Sequence, residues 1–319
     1  MKLIEMLFSE EFLFTSIQLT IPILFAALAA LISNKSGIVN ISIEGSMTVS
    51  ALVGALISFY TQSYLFGILA GIAAGILMGI ILAFCGHKLK TDTTLTGVAL
   101  NIFASGFVVF LMYTILGTKG DTTAAPSTII PYIKIRFLKE IPFIGVLFEQ
   151  NLLFYIAIVS VFLLRFVINK TKIGLQIKAV GYNFEAAKSV GISVEKTQLI
   201  ALIIAGAFSG LGGVFLSMSY LSTFNSGMVA GRGFIGLAAE AMGAGNPLLT
   251  LLFSYIFGAV SAFAISAQIA IDVPYELLNT LPYLMTILAL VFYSLKKNKR
   301  SLKVRKKGES NEKSMGKRI

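Results

Sequence analysis

Apolar residues recur along this chain in long unbroken blocks rather than in the short alternations of a soluble domain. The blocks are Phe12 to Ile32, Ile38 to Tyr60, Tyr64 to Phe84, Thr93 to Leu116, Leu152 to Ile168, Leu199 to Tyr220, Leu248 to Ile271 and Leu277 to Leu295. Each approaches the ~20 residues an α-helix needs to cross about 30 Å of hydrocarbon. A ninth segment, Gly233 to Gly245, is too short to cross alone, at about 20 Å of helix. The pattern predicts an all-α, polytopic membrane protein with about nine transmembrane helices, one of them short or broken. Composition agrees: 56% hydrophobic and 13% charged residues, with a mean hydropathy of +0.85, lie far from the roughly 45–50% and 25% of soluble domains.

Charge sets the orientation. From Lys296 to Arg318 the chain carries eleven Lys/Arg against Glu309 and Glu312, which is most of the formal charge of +11. A basic stretch after the last apolar block marks the cytoplasmic side and lies near anionic headgroups. The expected organisation is a transmembrane domain over residues 1–295 and a basic cytoplasmic tail over 296–319. The same rule puts His87 to Lys90 inside, and also Arg165 to Lys196 with its six Lys/Arg, around a cytoplasmic loop at 170–198. Gly117 to Gln150, with Pro126, Pro131 and Pro142, is then an ordered extracytoplasmic loop. Three crossings before His87 put the N-terminus outside. For Lys196 and Lys296 to share a side, Gly233 to Gly245 has to cross, as a broken helix completed by Tyr220 to Arg232. Met1 to Ser9 lacks a basic region and a cleavage site, so the first span is expected to act as its own insertion signal.

One polar segment sits between the spans. It reads GYNFEAAKSVGI from Gly181 to Ile192. Asn183 suits the cap of a short helix through Glu185, Ala186, Ala187 and Lys188, and Gly191 supplies the left-handed residue that ends it. A rigid helix presented on the inner side of a membrane domain reads as a docking element for a soluble partner.

A charged group at the centre of a membrane helix costs at least about 2.5 kcal/mol, which singles out Glu44 and Glu240. Two readings stand side by side. Both residues line a water-accessible solute path, or each caps a neighbouring helix N-terminus and holds a break open. Asn40 and Ser42 beside Glu44, Asn101 in the fourth block and Gln18 in the first add neutral polar groups to such a path. Asn101 equally suits a helix-to-helix hydrogen bond. Gly37 to Gly45 and Gly233 to Ala241 share one spacing, with a carboxylate seven residues after the first glycine. Their spans run in opposite directions, so two inverted repeats, Phe12 to Leu116 and Leu199 to Leu295, are expected to flank Leu152 to Ile168. Gly67, Gly71, Gly75 and Gly79, and likewise Gly206, Gly210 and Gly213, recur at helical spacing and suit close helix packing. Arg232 is expected to snorkel to an interface.

Other classes fit poorly. His87 is the sole histidine and Cys85 the sole cysteine, so there is no metal cluster and no Cys/His catalytic set. Nothing matches a nucleotide-binding loop, and the Lys/Arg run after a span points to lipid rather than nucleic acid.

The run Gly181-x-Asn183-x-x-Ala186-Ala187-x-x-x-Gly191-Ile192 resembles the coupling loop of ABC import permeases of the branched-chain amino acid, simple-sugar and nucleoside class. Val39-Asn40-Ile41-Ser42-Ile43-Glu44-Gly45-Ser46-Met47 is similar to a run in the nucleoside permeases that work with basic-membrane-protein-type lipoproteins, although Ser42 and Ser46 replace the commoner Gly and Met. Gly231-Arg232-Gly233-Phe234 through Gly245-Asn246-Pro247 resembles a further family run. The resemblance covers about Phe12 to Leu295. It implies a type II importer fold in a bacterial cytoplasmic membrane, a heterodimeric permease pair and an extracytoplasmic substrate-binding lipoprotein. It also implies a cytoplasmic ATPase that docks on Gly181, Asn183, Glu185, Ala186, Ala187, Gly191 and Ile192. ATP and Mg²⁺ would sit on that partner, with no cofactor in this chain. The implied function is nucleoside import. The alternatives are import of a simple sugar or other small polar solute, and a self-sufficient proton-coupled transporter using Glu44 or Glu240.

Overall fold

The computed structural model describes residues 9–133 and 145–270, together with residues 280, 284, 285, 287 and 291. Among these residues every regular element is a helix, and β-pairing is limited to two isolated bridges, Asp121 to Asn225 and Tyr132 to Asn151. In chain order the α-helices are α1 (Glu10–Lys35), α2 (Ile43–Thr61), α3 (Tyr64–His87), α4 (Thr93–Leu116), α5 (Leu152–Lys170), α6 (Lys172–Tyr182), α7 (Phe184–Ser189), α8 (Val194–Phe215), α9 (Arg232–Gly243) and α10 (Pro247–Ala270). A π-helical turn, Leu216–Tyr220, prolongs α8. The boundaries follow local chemistry. The α4 helix matches its apolar block to the residue, because Asp92 accepts hydrogen bonds from the Thr94 and Leu95 N–H groups at one end and Gly117, at φ +73°, closes the other.

Among the described residues seven helices are long and apolar enough to cross a membrane: α1, α2, α3, α4, α5, α8 with its π turn, and α10. The all-α, multi-pass expectation holds. The expected span Leu277 to Leu295, the basic tail and Pro142 lie outside or largely outside the described residues. The broken crossing differs from its expectation. Residues 221–231 are not helical, so Tyr220 to Arg232 does not complete α9. Ser222, Gly227, Ala230 and Gly231 all have positive φ, a run of backbone that cannot propagate a right-handed helix.

The two ends of the molecule differ in charge. At one end the C-terminus of α1 meets the end of α6 and the start of α8, where Gln198 Nε2 donates to the Ser36 carbonyl at 3.0 Å. The helix ends on this side carry Lys35 at the end of α1, Lys172 at the start of α6, Lys188 in α7 and, beside one crevice, Lys88 after α3 and Lys196 in the first turn of α8. At the opposite end, the described parts of the 117–150 connection are tied to the segment after α8. The Thr122 N–H donates to the Phe224 carbonyl at 2.9 Å, the Ser226 N–H to Gly120 at 2.8 Å and the Ile130 N–H to Met218 at 3.0 Å.

α1 packs against α9 and α10, α8 packs against α2 and α3, and α1 packs against α8. The first helix of each half thus lies on the second and third helices of the other. Glycines make the approach possible. A Cβ on Gly75 of α3 would lie 2.9 Å from the Gly210 N and 3.0 Å from its Cα on α8. Gly71, Gly75 and Gly79 thus form one seam with Gly206 and Gly210, whereas Gly67 meets Ser58 of α2 and Met218 of the π turn, and Gly213 turns to α2, with Ala51 N 3.0 Å from the place of a Cβ. The register of the halves is not the one that sequence spacing suggests. Gly37 sits in the non-helical link at φ +85° whereas Gly233 is the second residue of α9. Glu44 consequently falls in the first turn of its helix and Glu240 near the end of its own.

Candidate functional site

Two helices begin beside one another within the bundle. α2 starts at Ile43 after the irregular residues 36–42, and α9 starts at Arg232 after 221–231. Each helix start carries N–H groups with no intrahelical acceptor and a partial positive charge. Glu44 joins them. It lies in the first turn of α2, and its Oε1 accepts from the Gly231 N–H at 2.7 Å while its Oε2 accepts from the Gly233 N–H at 2.8 Å. Both carboxylate oxygens are thus engaged by the start of α9, and one negative charge faces two helix N-termini. Gly233 permits this approach, since a Cβ there would lie 2.8 Å from the Glu44 N and Cα.

Asn101 does the corresponding work for α2. Its Oδ1 accepts from the Gly45 N–H at 2.8 Å, and its Nδ2 donates to the Ile41 carbonyl at 3.0 Å. It makes the helix-to-helix bond anticipated as one of its two roles. Asn40 and Ser42 are buried in the same link, with Asn40 Oδ1 accepting from the Ser42 N–H at 3.1 Å and from its hydroxyl at 2.7 Å. Arg232 Nη1 donates to the Met228 and Val229 carbonyls at 2.8 and 3.2 Å, closing the turn before α9 instead of snorkelling. Gln18 lies apart from this group, at the less basic end, within 3.4 Å of the Tyr132 hydroxyl and 3.5 Å of Gln150 Oε1.

Glu240 also stands apart from Glu44. It is buried near the end of α9 and accepts a hydrogen bond from Asn34 Nδ2 in the last turn of α1. With Asn34, Lys35, Ala241, Ala244 and Gly245 it lines a polar cavity of about 330 Å³ at the basic end. Both ends of α9 are therefore held by side chains that flank one link: Asn34 before it and Glu44 after it. Sequence reading missed Asn34 and Lys35, whose signal was a polar pair closing the first apolar block.

That link also meets the short-helix segment. A Cβ on Gly181 would overlap the Lys35 carbonyl oxygen and lie 3.1 Å from the Gly37 N. α7 follows as expected from sequence: Asn183 Oδ1 accepts from the Ala186 N–H at 3.1 Å, and Gly191 has φ +83°. The residues named for docking divide on burial. Asn183, Glu185, Ala186 and Gly191 are exposed and Ile192 is half-buried, but Ala187 is only 3% exposed and packs into its own chain. The protruding apolar groups are ones that sequence reading passed over: Tyr182 at 86%, Val190 at 76% and Phe184 at 58% exposure. Their signal was three large apolar side chains inside a polar loop. Among the described residues no group of three or more His, Cys, Asp or Glu is placed to hold a metal ion.

A transport protein is the class that this arrangement suits: a bundle of long apolar helices, two helices that start within it, and a short capped helix exposed at one end. Residues 12–290 match the family described as branched-chain amino acid transport system / permease component. The chain belongs to that family. It is 33% identical over 282 residues to the guanosine ABC transporter permease protein NupQ of Bacillus subtilis, spanning 84% of this chain and 87% of that one. It is 31% identical over 283 residues to the nucleoside ABC transporter permease protein NupC of Lactococcus lactis, spanning 85% and 88%. The putative glucose ABC transporter permease protein TsgC13 of Haloferax volcanii is 30% identical over 307 residues, spanning 90% and 92%. In the first two organisms a second permease protein, NupP and NupB respectively, matches over shorter stretches. No solved structure matches.

Proposed function

We propose that the chain is one of two permease subunits of an ATP-driven nucleoside importer in a bacterial cytoplasmic membrane, with its basic end facing the cytoplasm. The observation that carries the substrate is the pair of relatives named for guanosine and nucleosides, which align over most of their own length and of this chain. The relative named for glucose supports sugar uptake as the second reading. A second permease, a cytoplasmic ATPase carrying ATP and Mg²⁺, and an extracytoplasmic binding lipoprotein complete the complex.

In this reading Tyr182, Phe184 and Val190 are the anchors that enter the ATPase, because large apolar side chains in desolvated pockets supply most of the energy of such contacts. Movement of α7 reaches the bundle through Gly181, which lies against the link after α1. The same link holds α9 at Glu44 and Asn34, so α9 is carried with it and the path opens to alternate sides. Glu44 and Asn101 act as braces of the break, while Asn40 and Ser42 belong to the same brace. Glu240, which lines the polar cavity, meets solute on the cytoplasmic side in this reading.

The test is uptake into proteoliposomes that hold the whole complex, with labelled guanosine, uridine and glucose compared under ATP. Saturable ATP-dependent nucleoside uptake supports the proposal. Uptake of glucose alone moves the chain to the second reading, and uptake that follows a proton gradient without ATP rejects both.

A further inference from the structure

At the basic end a second crevice, of about 220 Å³, opens between the last turns of α3 and the first turns of α8. Its walls are Ile80, Ala83 and Phe84 from α3 and Leu199 from α8, and its rim is His87, Lys88, Glu195 and Lys196. The apolar wall continues outward. Phe84, at 55% exposure, and Ile80 extend a stripe with Leu77, Leu69 and Phe66 that none of the chain's own helices covers among the described residues. The depth of the crevice follows from the chain itself, since α3 ends at His87 and its apolar face gives way there to Lys88 and Lys90. That is the change expected where hydrocarbon meets headgroups.

Three features of the rim favour an anion. Lys88 and Lys196 outnumber the one acid, Glu195, so the rim carries a surplus positive charge. His87 Nε2 is buried and has no hydrogen-bond partner among the described residues, and it donates in the imidazolium or in one neutral tautomer. α8 starts at the same rim, and its N-cap residue Ser193 makes no side-chain cap hydrogen bond, which leaves the first-turn N–H groups without that acceptor.

We propose that this crevice is a binding site for an anionic phospholipid of the leaflet at the basic end. The phosphate sits against His87, Lys88 and Lys196, and one acyl chain lies along Phe84, Ile80 and Leu199. An apolar slot under a basic rim between two spans has the form that holds such headgroups. The inference is independent of which solute is carried. It depends on the membrane setting of the chain and on charge complementarity at the rim.

The chain contains no tryptophan, so a single reporter can be placed on the crevice wall. The full-length Phe84→Trp protein is reconstituted in phosphatidylcholine vesicles containing brominated phosphatidylglycerol or brominated phosphatidylcholine, and quenching is compared. A Phe166→Trp protein reports lipid contact near the same membrane face on α5. The expected result is a several-fold preference for phosphatidylglycerol at the Phe84→Trp reporter beyond that at the Phe166→Trp reporter. That excess falls to near unity when Lys88→Ala and Lys196→Ala are added, and weakens with His87→Ala. Retained quenching by both lipids at the Phe166→Trp reporter checks that the variants are still inserted. Equal quenching by the two lipids at the Phe84→Trp reporter overturns the proposal, as does a preference that survives loss of both lysines. Loss of the preference in millimolar inorganic phosphate assigns the rim to a soluble phosphate and also overturns the lipid site.

Discussion

Replacing Glu44 by leucine removes the side-chain acceptor of the Gly231 and Gly233 N–H groups at the start of α9, bonds of 2.7 and 2.8 Å. A buried donor left without a partner costs about 1–3 kcal/mol, so two cost about 2–6 kcal/mol. Loss of the charge beside a helix N-terminus adds roughly 0.3–1 kcal/mol. Glutamine is not a neutral substitute, because both carboxylate oxygens are in use. Its amide keeps one acceptor and turns an NH₂ group toward the second donor, which costs about 1–3 kcal/mol of the same kind. The expected order of stability is Glu, then Gln, then Leu, with the leucine protein lowered on the order of 10 °C in its thermal midpoint. The assay is the loss of monodisperse purified protein on heating, followed by size-exclusion chromatography, beside ATP-driven uptake by the reconstituted complex. If Glu44→Gln melts with the wild type while its transport fails, the carboxylate acts on solute and not on α9, and the brace is refuted.

Three further outcomes follow from the same geometry. Tyr182→Ala with Phe184→Ala should leave the permease melting normally but weaken capture of its ATPase by on the order of tenfold or more, whereas Ala187→Asp should destabilise the permease itself, because that side chain is buried; equal melting of the two proteins would reverse the assignment. Gly75→Ala should cost about 1–3 kcal/mol by overpacking the α3–α8 seam, while Gly106→Ala, where a Cβ meets nothing within 4 Å, should gain about 0.5–1 kcal/mol, so thermal midpoints moving in the same direction would contradict the seam. In a Cys85→Ala background, a cysteine at Glu10 or Thr118 should react with an impermeant reagent on intact cells and one at Lys172 only after permeabilisation, and the opposite pattern would invert the orientation.

The sequence by itself determined where the seven long apolar helices among the described residues lie, and where local chemistry ends them. Blocks of apolar residues report span length directly, and the caps at Asp92 and Asn183 act within three residues of themselves, so both are visible in one dimension. The same holds for Gly191, whose left-handed backbone closes α7 where the pattern put it. The partners of those segments were not visible in this way. Glu44 bonds to residues 187 and 189 positions away, and Asn34 reaches Glu240 across 206, distances at which spacing carries no information about contact. The match between Gly37 to Gly45 and Gly233 to Ala241 misled for that reason, since equal spacing set a residue of a non-helical link against one inside a helix. Which face of α7 is buried was likewise settled by what packs beneath it. Ala187 is the small side chain that fits against the bundle, and Tyr182, Phe184 and Val190 are left outside because no part of the described chain covers them. Hydrophobicity decides that a span enters the membrane. Only the packing of spans on one another decides which buried polar group finds which donor, because each such pair is fixed by the arrangement of all the helices at once.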